Sequence, residues 1–153
     1  MRYLFLILLL TACKCPKKAV DTGGQEVSDS NSLTYILSDS YGGAAEEDLL
    51  VIRSEGELQK FFAGVNKTRK PGLPLPEIDF NENMVLVYSA GETQVGNPSE
   101  LIPLQVNEDR ILMGVKKEKG QNDSVSSAIT MPFVIYSMPQ TSKEVVLERD
   151  RKP

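Results

Sequence analysis

The sequence predicts an α+β domain: a mostly antiparallel β-sheet of about six or seven strands with one packed helix. Three observations lead to this class. Short apolar runs, bounded by Gly, Pro, Asn, Asp and Ser, recur through the chain beyond residue 32. Only one stretch combines helical spacing with a capping signal. Two of the runs alternate on either side of Asn107-Glu108-Asp109, as the arms of an antiparallel hairpin do.

The elements follow in order. Leu33-Thr34-Tyr35-Ile36-Leu37 is β-like and closes in Ser-Asp-Ser-Tyr-Gly-Gly, and Leu49-Leu50-Val51-Ile52 is a second run. Ser54 and Glu57 then form an S-x-x-E capping box, in which each end satisfies a backbone N–H that the first helical turn leaves open. Leu58, Phe61, Phe62 and Val65 follow at i, i+3, i+4 and i+7, an apolar stripe suited to lying on a sheet. Asn66 and the prolines at 71, 74 and 76 end the helix and predict an extended loop over 67–77. Met84–Ser89 is apolar at both parities, which suits a central strand covered on both faces. Ile102, Leu104 and Val106 alternate into the turn, and Ile111, Met113 and Val115 leave it; Pro103 places an edge or a bulge in the first arm. A polar run over 116–124 precedes one long β segment, Val125–Met138, and Val145-Val146-Leu147 closes the pattern.

The N-terminus follows different rules. Residues 1–13, MRYLFLILLLTAC, hold eleven apolar residues and a single cation, Arg2. The run is too short to span a bilayer, which takes about 20 residues, and has the length of a signal-peptide apolar core. Leu10-Thr11-Ala12-Cys13 resembles the lipobox of bacterial lipoprotein signal peptides. That resemblance implies cleavage before Cys13 and a lipid on its sulfur, several acyl chains giving a stable anchor. It divides the chain into a signal peptide (1–12), a lipidated N-terminus and tether (13–31) and a folded domain (32–149). Residues 14–31 offer too little apolar surface to offset their own ordering. The expected location is the cell envelope, lipid-anchored, at the outer membrane of a Gram-negative cell.

Composition narrows the chemistry. The chain of 153 residues has 17 Lys+Arg, 21 Asp+Glu and no histidine, a net charge of −4. This balance argues against nucleic acid as a partner, since phosphate binding relies on clustered cations. Without histidine there is no Ser-His-Asp or Cys-His nucleophile system and no histidine-ligated zinc. No S-x-x-K or G-x-S-x-G is present, nor a phosphate-binding glycine loop. Asp79-Phe80-Asn81-Glu82-Asn83 opens like an EF-hand loop, but its sixth and twelfth positions are Met84 and Ala90 where Gly and Glu are needed, so a turn closed by Asp and Asn side chains is the expectation. Glu46-Glu47-Asp48 reads as a solvated acidic face. No cofactor, no metal and no catalytic residue is expected, and the chain reads as a binding protein rather than an enzyme.

The order Ile78-Asp79-Phe80, Met84-Val85-Leu86-Val87, Gly91 and Thr130-Met131-Pro132-Phe133-Val134-Ile135, with Pro139 beyond, is similar to the C-terminal domain of the protease complex subunit PrcB family. The resemblance covers about residues 51–147. It departs from the pattern at Val95-Gly96-Asn97-Pro98, where the family has a Gly-Gly-aromatic turn. It implies a lipoprotein that binds and helps assemble an envelope protease complex, with the membrane reached through Cys13 and an envelope protein, a protease being the candidate, as partner. Gly96, Asn97 and Pro98 are the candidate partner contacts, within the exposed loops 92–98 and 118–127. A protease-inhibitor-like domain and a structural envelope lipoprotein remain open as alternatives.

Overall fold

The computed structural model describes residues 32–95, 100–116 and 125–148. Nine strands and one helix occupy them: β1 (Thr34–Asp39), β2 (Glu47–Ile52), α1 (Glu55–Val65), β3 (Asn83–Ala90), β4 (Thr93–Val95), β5 (Glu100–Val106), β6 (Arg110–Lys116), β7 (Val125–Thr130), β8 (Phe133–Pro139) and β9 (Glu144–Leu147). A four-stranded antiparallel sheet runs in the order β1-β8-β3-β2. A second sheet, β5-β6-β9, covers one of its faces and α1 covers the other; β4 and β7 form a short two-stranded ribbon.

The alternation of the two central strands builds this three-layer arrangement. Met84, Leu86 and Tyr88 of β3, with Val134, Tyr136 and Met138 of β8, face the second sheet and pack on Leu101, Ile111 and Met113. Val85 and Val87, with Phe133 and Ile135, face the helix and meet Leu58, Phe62 and Val65. β3 is therefore apolar at every position because both of its faces are buried, as its pattern predicts. The helix is capped as read: the N–H of Glu57 donates to Ser54 Oγ, and Glu57 Oε2 accepts from the N–H of Arg53 at 2.8 Å. At its other end the Asn66 side chain donates to the Leu73 carbonyl at 2.9 Å and accepts from the Leu73 N–H at 2.7 Å, closing the chain after a short 3-10 turn (Asn66–Thr68).

Three features differ from the sequence pattern. The long segment Val125–Met138 is two strands, because Met131 and Pro132 leave it to bond Ser40 and Ala90; with β4, this raises the strand number to nine. Pairing is less local than a hairpin series: β5 and β6 form a hairpin, but β1 pairs with β8, and β9 lies parallel to β6. In β5 a bulge between Pro103 and Gln105 turns the strand over, so Leu101 and Val106 face the core while Ile102 and Leu104 do not. Pro103 thus sits at a bulge on an edge strand, as its chemistry predicts.

Candidate functional site

Cys13, Gly96, Asn97 and Pro98 lie outside the described residues, as do residues 118–124 of the second candidate loop, while its residues 125–127 open strand β7. Thr93–Val95, within the first candidate loop, is strand β4. What the fold does assemble is one pole of the four-stranded sheet, where three segments distant in sequence meet: 40–46 after β1, 90–93 after β3, and 130–132 before β8.

Backbone bonds hold these segments together. The Gly43 N–H donates to the Met131 carbonyl at 2.9 Å, and the Met131 N–H to the Ser40 carbonyl at 3.1 Å. The Ala90 N–H donates to the Pro132 carbonyl at 3.1 Å and the Glu92 N–H to the Ala45 carbonyl at 3.0 Å. Thr130, almost wholly buried, donates its hydroxyl to the Thr93 carbonyl at 3.1 Å. Glycines make this closeness possible. A Cβ at Gly43 would stand 2.9 Å from the carbonyl oxygens of both Met131 and Pro132. Gly91 turns at φ +79°, a left-handed conformation that glycine adopts without a Cβ penalty. Gly91 and Thr130-Met131-Pro132-Phe133, which share only an order in the sequence, thus become neighbours.

Two polar contacts define the electrostatics of this pole. Arg69, from the segment after α1, grips Asp39 at the end of β1 with two bonds of 2.7 and 2.6 Å and also donates to the Tyr41 carbonyl. The guanidinium holds the Asp39 carboxyl below the usual carboxylate range, assisted by the Tyr41 N–H. Tyr88 donates its hydroxyl to Glu47 at 2.8 Å, and burial first, then the neighbouring carboxylate, pushes its phenol upward. Neither Asp39–Arg69 nor Tyr88–Glu47 carries a sequence signal, since each joins residues 30 or more positions apart. Glu46, Glu47, Asp48 and Glu92 are exposed around the pole, with Tyr41 and Ile129 as exposed apolar surface.

At the opposite pole, Asp79 Oδ1 accepts from the Asn81 N–H and side chain, both at 2.9 Å, so the EF-hand-like stretch is the self-bonded turn its residues predict. Met84 is fully buried in β3. Arg53 straps the connection between β8 and β9 to the end of β2, donating to Thr141, Gln140 and Lys143. Among the described residues there is no group of three or more His, Cys, Asp or Glu placed to hold a metal ion, and no helix long and apolar enough to cross a membrane. Chemically, the first pole presents exposed carboxylates and two apolar side chains on a hydrogen-bonded backbone frame. No family model, curated protein or solved structure matches the chain.

Proposed function

We propose that this chain is a membrane-anchored lipoprotein binding module of a bacterial cell envelope, an accessory or assembly subunit of an envelope protease complex that has no catalysis of its own. One observation carries the anchor: an apolar run of signal-peptide length that ends in Leu10-Thr11-Ala12-Cys13. The protease complex rests on the PrcB-like order of motifs. The first described residue, Ser32, leads into β1 at the pole of Asn83 and Pro139. A chain that continues to an anchor at Cys13 joins the sheet at the end opposite Gly91 and Thr130–Phe133. Holding the domain at a bilayer raises its effective concentration toward other envelope proteins without adding a contact.

Metabolic labelling with palmitate tests the anchor. Label is expected on the native protein and absent from Cys13→Ala; label retained in the variant overturns the lipobox reading. Crosslinking in cells followed by purification tests the assembly role. An envelope protease enriched over the Cys13→Ala control is expected, and equal recovery from both proteins overturns it.

A further inference from the structure

The segment between α1 and β3 is buried in a three-residue rhythm. Residues 72–79 belong to no helix or strand. Leu73 and Pro76 are half-buried, Leu73 against the helix-side core, while Pro71, Gly72, Pro74, Leu75 and Glu77 are exposed. A polyproline helix, with three residues per turn, puts i and i+3 on one edge and gives this rhythm. The residue types agree. Pro74 and Pro76 fix φ at about −65° and hold Leu73 and Leu75 out of the α region. Among the described residues no backbone bond reaches 74–77, so their carbonyls stay open, as a polyproline helix leaves them. Asn66 orders the start of the segment. Its side chain bonds both the N–H and the carbonyl of Leu73, and a Cβ at Gly72 would stand 3.0 Å from its Cγ. Ile78 and Phe80 pack on the same core and hold the other end.

A connection from α1 to β3 uses the inward edge only. The outward edges carry Pro71 and Pro74, three residues apart, and Leu75, which is 42% exposed between two prolines. We propose that this ridge is the ligand of a proline-recognising groove on another protein, lined by aromatic side chains and acidic at its margin. The inference names a partner surface for the binding-module reading and rests on neither the lipid nor the protease. Spacing, order and charge select this occupant. P-x-x-P puts both rings on one edge about 9 Å apart, where aromatic walls receive them and the polar tips of Tyr or Trp reach the open carbonyls. The segment is already held by Asn66, so docking it orders little further chain. Exposed Lys67 and Lys70 precede Pro71, while Arg69 between them is committed to Asp39. With Lys60 they are the cations left without a bonded partner among the described residues, since Arg53, Arg110, Lys116 and Lys143 are all engaged. An acidic margin is therefore met here, on a chain that is acidic overall. A second copy does not supply the groove. The chain has no tryptophan, and the exposed aromatic residues among those described, Tyr35 and Tyr41, stand at either end of β1.

Photocrosslinking in cells tests this, with Leu75→p-benzoylphenylalanine in the full chain as the probe and mass spectrometry to locate the attachment point. The expected adduct is with a different protein, at a surface that carries two or more aromatic side chains beside Asp or Glu. The pair Pro71→Ala, Pro74→Ala and, separately, the pair Lys67→Glu, Lys70→Glu are each expected to lower its yield tenfold or more with an unchanged circular dichroism spectrum. Ser54→Ala weakens the α1 cap without touching the ridge and is expected to leave the yield unchanged, which separates loss of contact from loss of stability. No adduct, an adduct with a second copy or with lipid, an attachment point without aromatic residues, or a yield indifferent to either pair overturns the proposal. An envelope partner recovered by crosslinking of the native protein but absent from the Leu75 adduct overturns this surface alone and leaves the binding-module reading standing. Palmitate labelling of Cys13 is independent of every one of these outcomes.

Discussion

A side-chain pair with two-point contact adds to the backbone bonds of the Gly91–Thr130 pole. Asp39 and Arg69 are each about one-fifth exposed and meet in a bidentate pair, a geometry stronger than an exposed single contact. Arg69→Met is expected to lower unfolding free energy at neutral pH by about 1.5–3 kcal/mol, the range for hydrogen bonds to charged groups. Because the folded Asp39 pKa is depressed, its contribution is fully present above the unfolded value and is lost as pH falls through the folded one. Urea unfolding of the native protein and of Asp39→Asn at pH 7 and pH 3 checks the sign: the stability gap between them should shrink in acid. A gap that stays constant would mean the carboxylate charge is not what the pair uses. Glycines offer a sharper contrast. Gly43→Ala forces a Cβ against two backbone carbonyls and is expected to cost about 1–3 kcal/mol. Gly64→Ala in α1 meets nothing within 4 Å and is expected to add about 0.5–1 kcal/mol. Thermal melts of the two variants should move in opposite directions. The Asp79–Asn81 turn was legible in the sequence because donor and acceptor lie two residues apart. Arg69 was not, because its partner is fixed only by the folded chain.

Elements were readable where their own periodicity sets their environment. The α1 stripe and its Ser54 cap follow from spacing alone, and β3 follows from having no polar face. The hairpin of β5 and β6 was likewise visible, together with its proline bulge. The facing of Ile102 and Leu104 was not, since one inserted residue reverses every side chain beyond it. The split of Val125–Met138 was hidden for a related reason: Met131 and Pro132 leave strand geometry to satisfy Ser40 and Ala90, distant groups with no local signal. The cap offers the test at this scale. Ser54→Ala removes the acceptor for the Glu57 N–H and is expected to cost about 0.5–2 kcal/mol. Chemical denaturation should show a lower midpoint with an unchanged slope, since the cap changes stability and not the surface exposed on unfolding; a changed slope would mean that α1 detaches separately from the sheet.

At the scale of the molecule, the class of fold was legible and the strand order was not. The order β1-β8-β3-β2 and the parallel pairing of β9 with β6 depend on which apolar faces meet, and many orders satisfy the same pattern. The candidate site shared this fate: Gly91 and Thr130–Phe133 were visible as motifs, but their meeting beside Gly43 required the fold. The central sheet has one consequence for cooperativity. Leu58 on the helix side and Met113 on the opposite side are both fully buried, in separate clusters that share β3 and β8 as their wall. Truncation of either to alanine is expected to cost about 2–5 kcal/mol. Side chains separated by the full thickness of a sheet have no common partner, so the double variant should lose the sum of the two within about 0.5 kcal/mol. Both losses should appear in one unfolding transition, because unfolding either cluster strips one face of the same two strands. Fluorescence of the tyrosines and far-ultraviolet circular dichroism should therefore report coincident midpoints in all three variants. Separate midpoints would show that the helix layer and the β5-β6-β9 layer unfold independently, and that the central sheet does not couple them.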